Sequence, residues 1–206
     1  MIVNPEIESY IYGLLPPRDA LLAEMEQQAE RRNIPIVGPA AANLLAQLVR
    51  LSGARRIFEL GSAIGYSTIW LARAAGPNAE VHYTDLSPAN AEEARGYFER
   101  AGLAARIHIH VGDALGSLAS VPGQFDLIFN DVDKTGYPAV LDAVPSRLKA
   151  GGLLVADNVL RRGEVINPTD ASARAVVEFN RKLFSSGDFW SSIVPLRDGL
   201  SISLRL

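Results

Sequence analysis

The first part of the chain has the polarity of helices. Within residues 19–32, Leu22, Met25 and Ala29 recur at spacings of three and four, which places them on one helical face. Pro39 suits the first turn of a second helix. There Leu44, Leu45, Leu48 and Leu51 form an apolar stripe that ends near Gly53. From residue 55 the pattern changes to short apolar runs alternating with helical stretches. The runs 56–60, 80–84, 106–111, 125–129 and 153–156 are predicted strands, the last following a Gly151-Gly152 turn. Helices are predicted over 67–75, over 88–101 with Ser87 as N-cap, from Tyr137 until Pro145 interrupts, and over 170–185.

The C-terminal end follows a different period. Leu200, Ile202, Leu204 and Leu206 alternate with Ser201, Ser203 and Arg205, and Arg197-Asp198-Gly199 separates this run from 189–196. Alternation around an Asp-Gly turn predicts an antiparallel hairpin. Five strands interleaved with helices, then a hairpin, predict an α/β fold. It is a Rossmann-like, doubly wound, mostly parallel seven-stranded sheet with a C-terminal antiparallel hairpin and N-terminal helices. No internal repeat or linker interrupts the pattern, so 1–206 is expected to be one domain, with 1–52 as a helical extension.

Composition narrows the chemistry. The chain has no cysteine, which excludes disulfides, zinc-finger and iron–sulfur sites and a cysteine nucleophile. The net charge of −3 comes without long like-charge runs, so neither nucleic acid nor a membrane surface is an expected partner. The longest charge-free run, 33–49, contains Pro35, Pro39, Asn43 and Gln47 and makes a poor membrane span. With no basic leader at the N-terminus, a cytoplasmic location is expected. Of 20 basic residues only Lys134, Lys149 and Lys182 are lysine.

In doubly wound sheets ligands bind outside the carboxyl ends of the strands. All five predicted parallel strands end in polar or glycine residues: Glu59 and Gly61, Asp85, Gly112 and Asp113, Asn130 and Asp131, Asp157 and Asn158. The first turn reads Glu59-Leu-Gly61-Ser-Ala-Ile-Gly65, a spacing unlike the G-x-G-x-x-G dinucleotide fingerprint. Asp85 follows 24 residues after Gly61. A carboxylate there can accept the hydroxyl hydrogens of a ribose. Asp131, Asp157 and Asn158 are hard oxygen donors, and with waters they suit Mg²⁺ first, or Mn²⁺ or Ca²⁺. Taken alone, Asp157-Asn158 is also explained as a turn, Asp131 with Asp133 as a solvated loop, and Lys134 as a surface lysine paired with Asp131 or Asp133. His108 and His110 share one strand face without a third His, so packing or exposure is expected rather than a zinc site.

Together the runs IFELGSAIGYSTIWLA, TDLSP, VGDA, FDLIFNDVDKTGY and GGLLVADNVL, with the final DGLSISL, resemble the cation-dependent O-methyltransferases. These include the catechol and caffeoyl-CoA O-methyltransferases. The resemblance runs from about residue 36 to the end. It implies methyl transfer from S-adenosylmethionine to a catechol-like phenolic acceptor in a homodimeric enzyme. Val37, Gly38, Glu59, Gly61 and Ser67 would border the methionine part of the cofactor and the site entrance. Asp85 would hold the ribose, and Asp113 with Ala114 would lie near the adenine. Asp131, Asp157 and Asn158 would bind the metal, with Asp131 also beside the cofactor. Lys134, next to Asp131, would be the base for the substrate hydroxyl. A nicotinamide oxidoreductase and a non-catalytic S-adenosylmethionine-binding protein are the alternatives.

Four residues depart from the family pattern. Arg161-Arg162 stand where many relatives carry Trp, which raises the expectation of an acidic acceptor. Ser201 replaces a Glu of the catechol methyltransferases, so a catecholamine preference does not transfer. Asn130 replaces a common aliphatic residue.

Overall fold

The computed structural model describes residues 4–206. Three helices open the chain. In α1 (Pro5–Leu14) the Asn4 side chain caps the Glu6 amide at 2.8 Å. In α2 (Ala20–Arg32) Asp19 caps the Leu22 amide at 3.0 Å, and Asn33 closes the helix in the left-handed conformation. The third, α3 (Gly38–Ser52), ends at Gly53, which adopts the same conformation. These caps satisfy backbone groups that a helix end leaves without partners.

The sheet then forms from β1 (Arg56–Leu60), β2 (Glu80–Asp85), β3 (Ile107–Val111), β4 (Phe125–Asn130), β5 (Leu148–Ala156), β6 (Phe189–Val194) and β7 (Leu200–Arg205). Helices α4 (Tyr66–Ala75), α5 (Pro88–Arg100), α6 (Ala114–Ser120), α7 (Tyr137–Arg147) and α8 (Ala171–Ser185) connect and cover it. The strand order is β3-β2-β1-β4-β5-β7-β6. The first five are parallel, and β7 runs antiparallel to both β5 and β6. The predicted doubly wound sheet with its terminal hairpin is thus the observed one.

Strand alternation splits the core into two layers. Ile57, Val81, Leu127 and Phe129 pack with Leu45, Ile69 and Ala94 on one face. Phe58, Ile128 and Leu154 pack with Val140, Val176 and Phe179 on the other. Glu59 shares the parity of Ile57, so it points toward the α4 side.

Three details differ from the sequence expectation. Pro145 does not interrupt α7, which continues to Arg147. A proline removes one backbone donor, and here only two helical residues follow it. Strand β5 begins at Leu148 and passes through Gly151-Gly152 instead of starting after them. A side chain at Gly152 would meet the carbonyl oxygens of Asp126 and Lys149, both at 2.9 Å, where the β4–β5 register shifts. Helix α6, seven residues long, lacks an apolar period long enough to read from sequence.

Candidate active site

The strand order reverses between β1 and β4, because β2 and β3 lie on one side of β1 and β4 and β5 on the other. This is the position at which doubly wound sheets open a crevice for ligands. Gly61 leaves β1 with φ +82, and a Cβ there would stand 2.7 Å from the Asp131 carbonyl oxygen. The absence of a side chain therefore lets the first turn lie against the end of β4. Gly65 precedes α4 with φ +84, where a Cβ would stand 2.6 Å from the Phe98 ring. Both glycines are dictated by backbone conformation and close approach together.

Glu59 is completely buried, and its carboxylate accepts hydrogen bonds from the Ser67 and Thr68 hydroxyls at the start of α4. Burial pushes its pKa up to about 7, with the hydroxyls of Ser67, Thr68 and Ser62 opposing the shift. Asp85 ends β2 and accepts from the Ala63 amide at 3.0 Å, the Ser87 amide at 2.8 Å and Asn90 Nδ2 at 3.0 Å. It thereby ties the first turn to the start of α5. Asp113 caps α6 through the Gly116 amide at 2.5 Å, and Ala114 is the first residue of that helix. Val37 is buried where α3 begins.

The densest chemistry lies where β4 and β5 end. The Asp131 amide donates to the Leu60 carbonyl at 2.8 Å and the Asp157 amide to the Asn130 carbonyl at 3.1 Å, which fixes both residues to the sheet. Lys134 Nζ donates to Asp131 Oδ1 at 2.6 Å, to Tyr137 Oη at 3.0 Å and to the Val132 carbonyl at 3.3 Å. Tyr137, fully buried, donates its hydroxyl to the Asp157 carbonyl at 2.6 Å. Burial raises the Asp131 carboxyl above the usual range, and Lys134 and then Arg197 oppose that rise. Asp157 is raised by burial and by the charge of Asp131, against Arg197. Two carboxylates held close together repel one another. Asn158 adjoins them with φ +55. A divalent cation suits this field and this hard-oxygen set. Among the described residues no three His, Asp or Glu side chains gather as metal ligands, so such an ion would rest on the two carboxylates and the Asn158 amide.

Asp133 stands apart. It caps the short turn 134–136 through the Thr135 amide at 3.0 Å. Tyr137 and Thr68 received no role from sequence, although each adjoins a residue that did. Arg197 was read only as part of the hairpin turn. Arg161 is bound to Glu164 at 3.2 Å and Asp170 at 3.3 Å, so its charge is balanced locally. The histidine expectation also needs correcting: a third histidine does accompany the pair. His82 on β2 stacks against His108 at 4.9 Å and His110 at 5.1 Å, with Phe58 behind it at 5.5 Å. The neighbouring strand supplies it, which spacing along one strand does not reveal. Burial lowers the His82 pKa to about 4, so His82 packs there as a neutral ring at ordinary pH.

The family described as O-methyltransferase matches residues 17–206. The chain belongs to the O-methyltransferase family. This methyltransferase is 36% identical to a catechol O-methyltransferase of Niastella koreensis, with 96% of each chain covered. It is 34% identical to a catechol O-methyltransferase of Mycobacterium tuberculosis, over 81% of this chain and 77% of that one. Among solved structures, an O-methyltransferase from Bacillus cereus in complex with SAH superposes with a TM-score of 0.89 at 31% identity. That match covers 98% of this chain and 97% of the other. Among the described residues no helix is long and apolar enough to cross a membrane.

Proposed function

We propose that this methyltransferase moves the methyl group of S-adenosylmethionine onto one hydroxyl of a vicinal dihydroxy aromatic acceptor. A divalent cation, Mg²⁺ first, would be held by Asp131, Asp157 and Asn158. The observation that carries the proposal is the buried Asp157 beside the half-buried Asp131, with Lys134 Nζ 2.6 Å from Asp131. The relatives named as catechol O-methyltransferases support the acceptor class. The SAH complex of the Bacillus cereus enzyme supports the methyl donor.

The cofactor residues follow the order of the cofactor itself. Val37, Glu59, Gly61 and Ser67 would surround its methionine end, with Glu59 acting through its hold on Ser67. Asp85 would take the ribose. Its carboxylate already accepts three donors, and a carboxylate has about four lone-pair sites. Asp113 and Ala114 would lie by the adenine. These groups follow one another along the ends of β1, β2 and β3.

A phenol with an ordinary pKa near ~10 is mostly protonated at neutral pH. When bound, a divalent cation lowers that pKa and orients both oxygens of a catechol. The amine form of Lys134 would take the hydroxyl proton as the oxygen–carbon bond forms and the carbon–sulfur bond breaks. Tyr137 and the Val132 carbonyl aim its Nζ. Arginine cannot do this, because it does not lose its proton. Helix α1 exposes Ile7, Tyr10 and Leu14, which supports a homodimer through this helix, measurable by light scattering.

The test is an acceptor screen with S-adenosylmethionine, with product methylation read by mass spectrometry. Turnover of catechols is expected to stop on addition of EDTA and return with Mg²⁺ or Mn²⁺. Undiminished turnover in EDTA overturns the metal role, and turnover confined to acceptors with a single hydroxyl overturns the acceptor class.

A further inference from the structure

Arg197 sits in the turn between β6 and β7 with φ +53, a conformation that disfavours any residue with a Cβ other than Asn or Asp. Strain of this kind persists where the surroundings impose it, commonly at ligand sites. Its guanidinium reaches back to the start of α3. Nη2 donates to the Ile36 carbonyl at 3.3 Å, and a Cβ at Gly38 would stand 3.4 Å from both Arg197 Cζ and Tyr12 Oη. These are ordinary contact distances, and Nη1 would lie 3.5 Å from the same Cβ, so the guanidinium packs directly on the start of α3. Nη1 is buried and has no hydrogen-bond partner among the described residues. The charge of Arg197 acts on Asp131, Asp157 and Tyr12, yet among the described residues no carboxylate oxygen comes within 4.0 Å of it. Its neighbour Asp198 is already engaged by the Arg162 amide. The turn that carries this strained arginine also pairs with the chain leaving β5, where the Val159 and Leu160 amides donate to the Gly199 and Asp198 carbonyls at 3.0 and 2.9 Å, so a buried, unpartnered donor lies by the end of β5.

We propose that Arg197 is a specificity-determining residue that receives a carboxylate carried by the acceptor. The inference rests on the function proposed above and names the acceptor subclass: catechols bearing an acidic group on the ring or its side chain. Charge supports it. Asp131 and Asp157, when ionised, balance Lys134 and Arg197. A divalent ion and the sulfonium of the methyl donor would add an excess of three positive charges. An acceptor ionised at one hydroxyl and carrying one carboxylate would offset two of them. A planar guanidinium with a free N–H also matches carboxylate geometry. Arg161, the arginine that the sequence suggested for this task, is bound to Glu164 and Asp170.

The experiment compares 3,4-dihydroxybenzoate with unsubstituted catechol, with S-adenosylmethionine and Mg²⁺ present. Arg197→Asn keeps a residue that tolerates positive φ, and Arg197→Lys keeps the charge. The ratio of kcat/KM for the benzoate over catechol is expected to fall about tenfold in Arg197→Asn, which is 1.4 kcal/mol. It should recover in part in Arg197→Lys and stay unchanged in Arg161→Ala. Equal losses on both acceptors overturn the proposal and make Arg197 a strut between the hairpin and α3. If the wild-type enzyme methylates neither compound, the function proposed above fails instead. Calorimetric binding of 3,4-dihydroxybenzoate to the full chain with S-adenosylhomocysteine then decides the role of Arg197. Weaker binding by Arg197→Asn sustains the role, and unchanged binding overturns it.

Discussion

Lys134 Nζ donates to the hydroxyl of Tyr137 at 3.0 Å, and that hydroxyl donates onward to the Asp157 carbonyl at 2.6 Å. One buried phenol therefore sets the lysine and the end of β5 in a single frame. Tyr137→Phe keeps the packing against Phe179 but deletes both bonds. Lys134 retains Asp131 and the Val132 carbonyl, so the lysine should stay nearby but lose its aim. We expect kcat to fall about tenfold, since small misplacements of reacting groups are costly. Loss of a donor to a buried carbonyl should lower stability by about 1–3 kcal/mol. Steady-state kinetics and urea unfolding measure both. A stability loss with kcat untouched would reduce Tyr137 to a strut.

Lys134 itself permits a sharper separation. If it takes the acceptor proton, Lys134→Ala should lower kcat by about 10²–10⁴. Lys134→Arg should rescue little, because arginine keeps the positive charge beside Asp131 but does not release its proton. Binding of S-adenosylmethionine, followed by calorimetry, should change little in either variant. Full activity in Lys134→Arg would show that charge alone is needed here.

Gly61 joins two strand ends. A methyl group there would meet the Asp131 carbonyl oxygen at 2.7 Å, its carbonyl carbon at 2.9 Å and Val132 Cα at 3.0 Å. All three are backbone atoms, so relief requires moving the end of β4, and φ +82 adds its own cost. We expect Gly61→Ala to lose about 2–4 kcal/mol of stability and most of its activity. Gly53→Ala is the control. It shares a positive φ but meets nothing within 4 Å, and should lose only about 1 kcal/mol with activity kept. Equal effects of the two changes would show that conformation alone matters at Gly61.

These contacts mark the boundary of what a sequence can say. Strand ends were legible because apolar runs of 5 or 6 residues stop abruptly at Gly61, Asp85 and Asp131. Ser87 as a cap and the hairpin around Asp198-Gly199 were legible because turns and caps have local chemistry. Arg197 was not. Its meeting with Gly38 spans a long stretch of chain, and its unusual φ leaves no trace in residue type, since glycine is what that conformation favours. The third histidine was hidden for the same reason. His82 pairs with His108 across neighbouring strands, a register that only the folded sheet creates.

Glu59 makes the fold itself sensitive to pH. Its carboxyl is held at about 7 by burial, against an ordinary value of 4.5. Between those values the folded protein carries a proton that the unfolded chain has released. Stability must therefore fall as pH rises from about 4.5 to about 7. Each pKa unit is worth about 1.4 kcal/mol, so this one group contributes at most about 3–4 kcal/mol across the window. Glu59→Gln is neutral throughout; its amide oxygen can accept from one of the Ser67 and Thr68 hydroxyls while its NH₂ donates to the other. Without added metal, the urea midpoint of the wild type should drop between pH 5 and pH 7.5. The variant should drop less. Some slope will remain, because burial raises Asp131 and Asp157 in the same direction. A slope identical in wild type and variant would mean that Glu59 stays ionised in the folded protein, with Ser67 and Thr68 outweighing its burial.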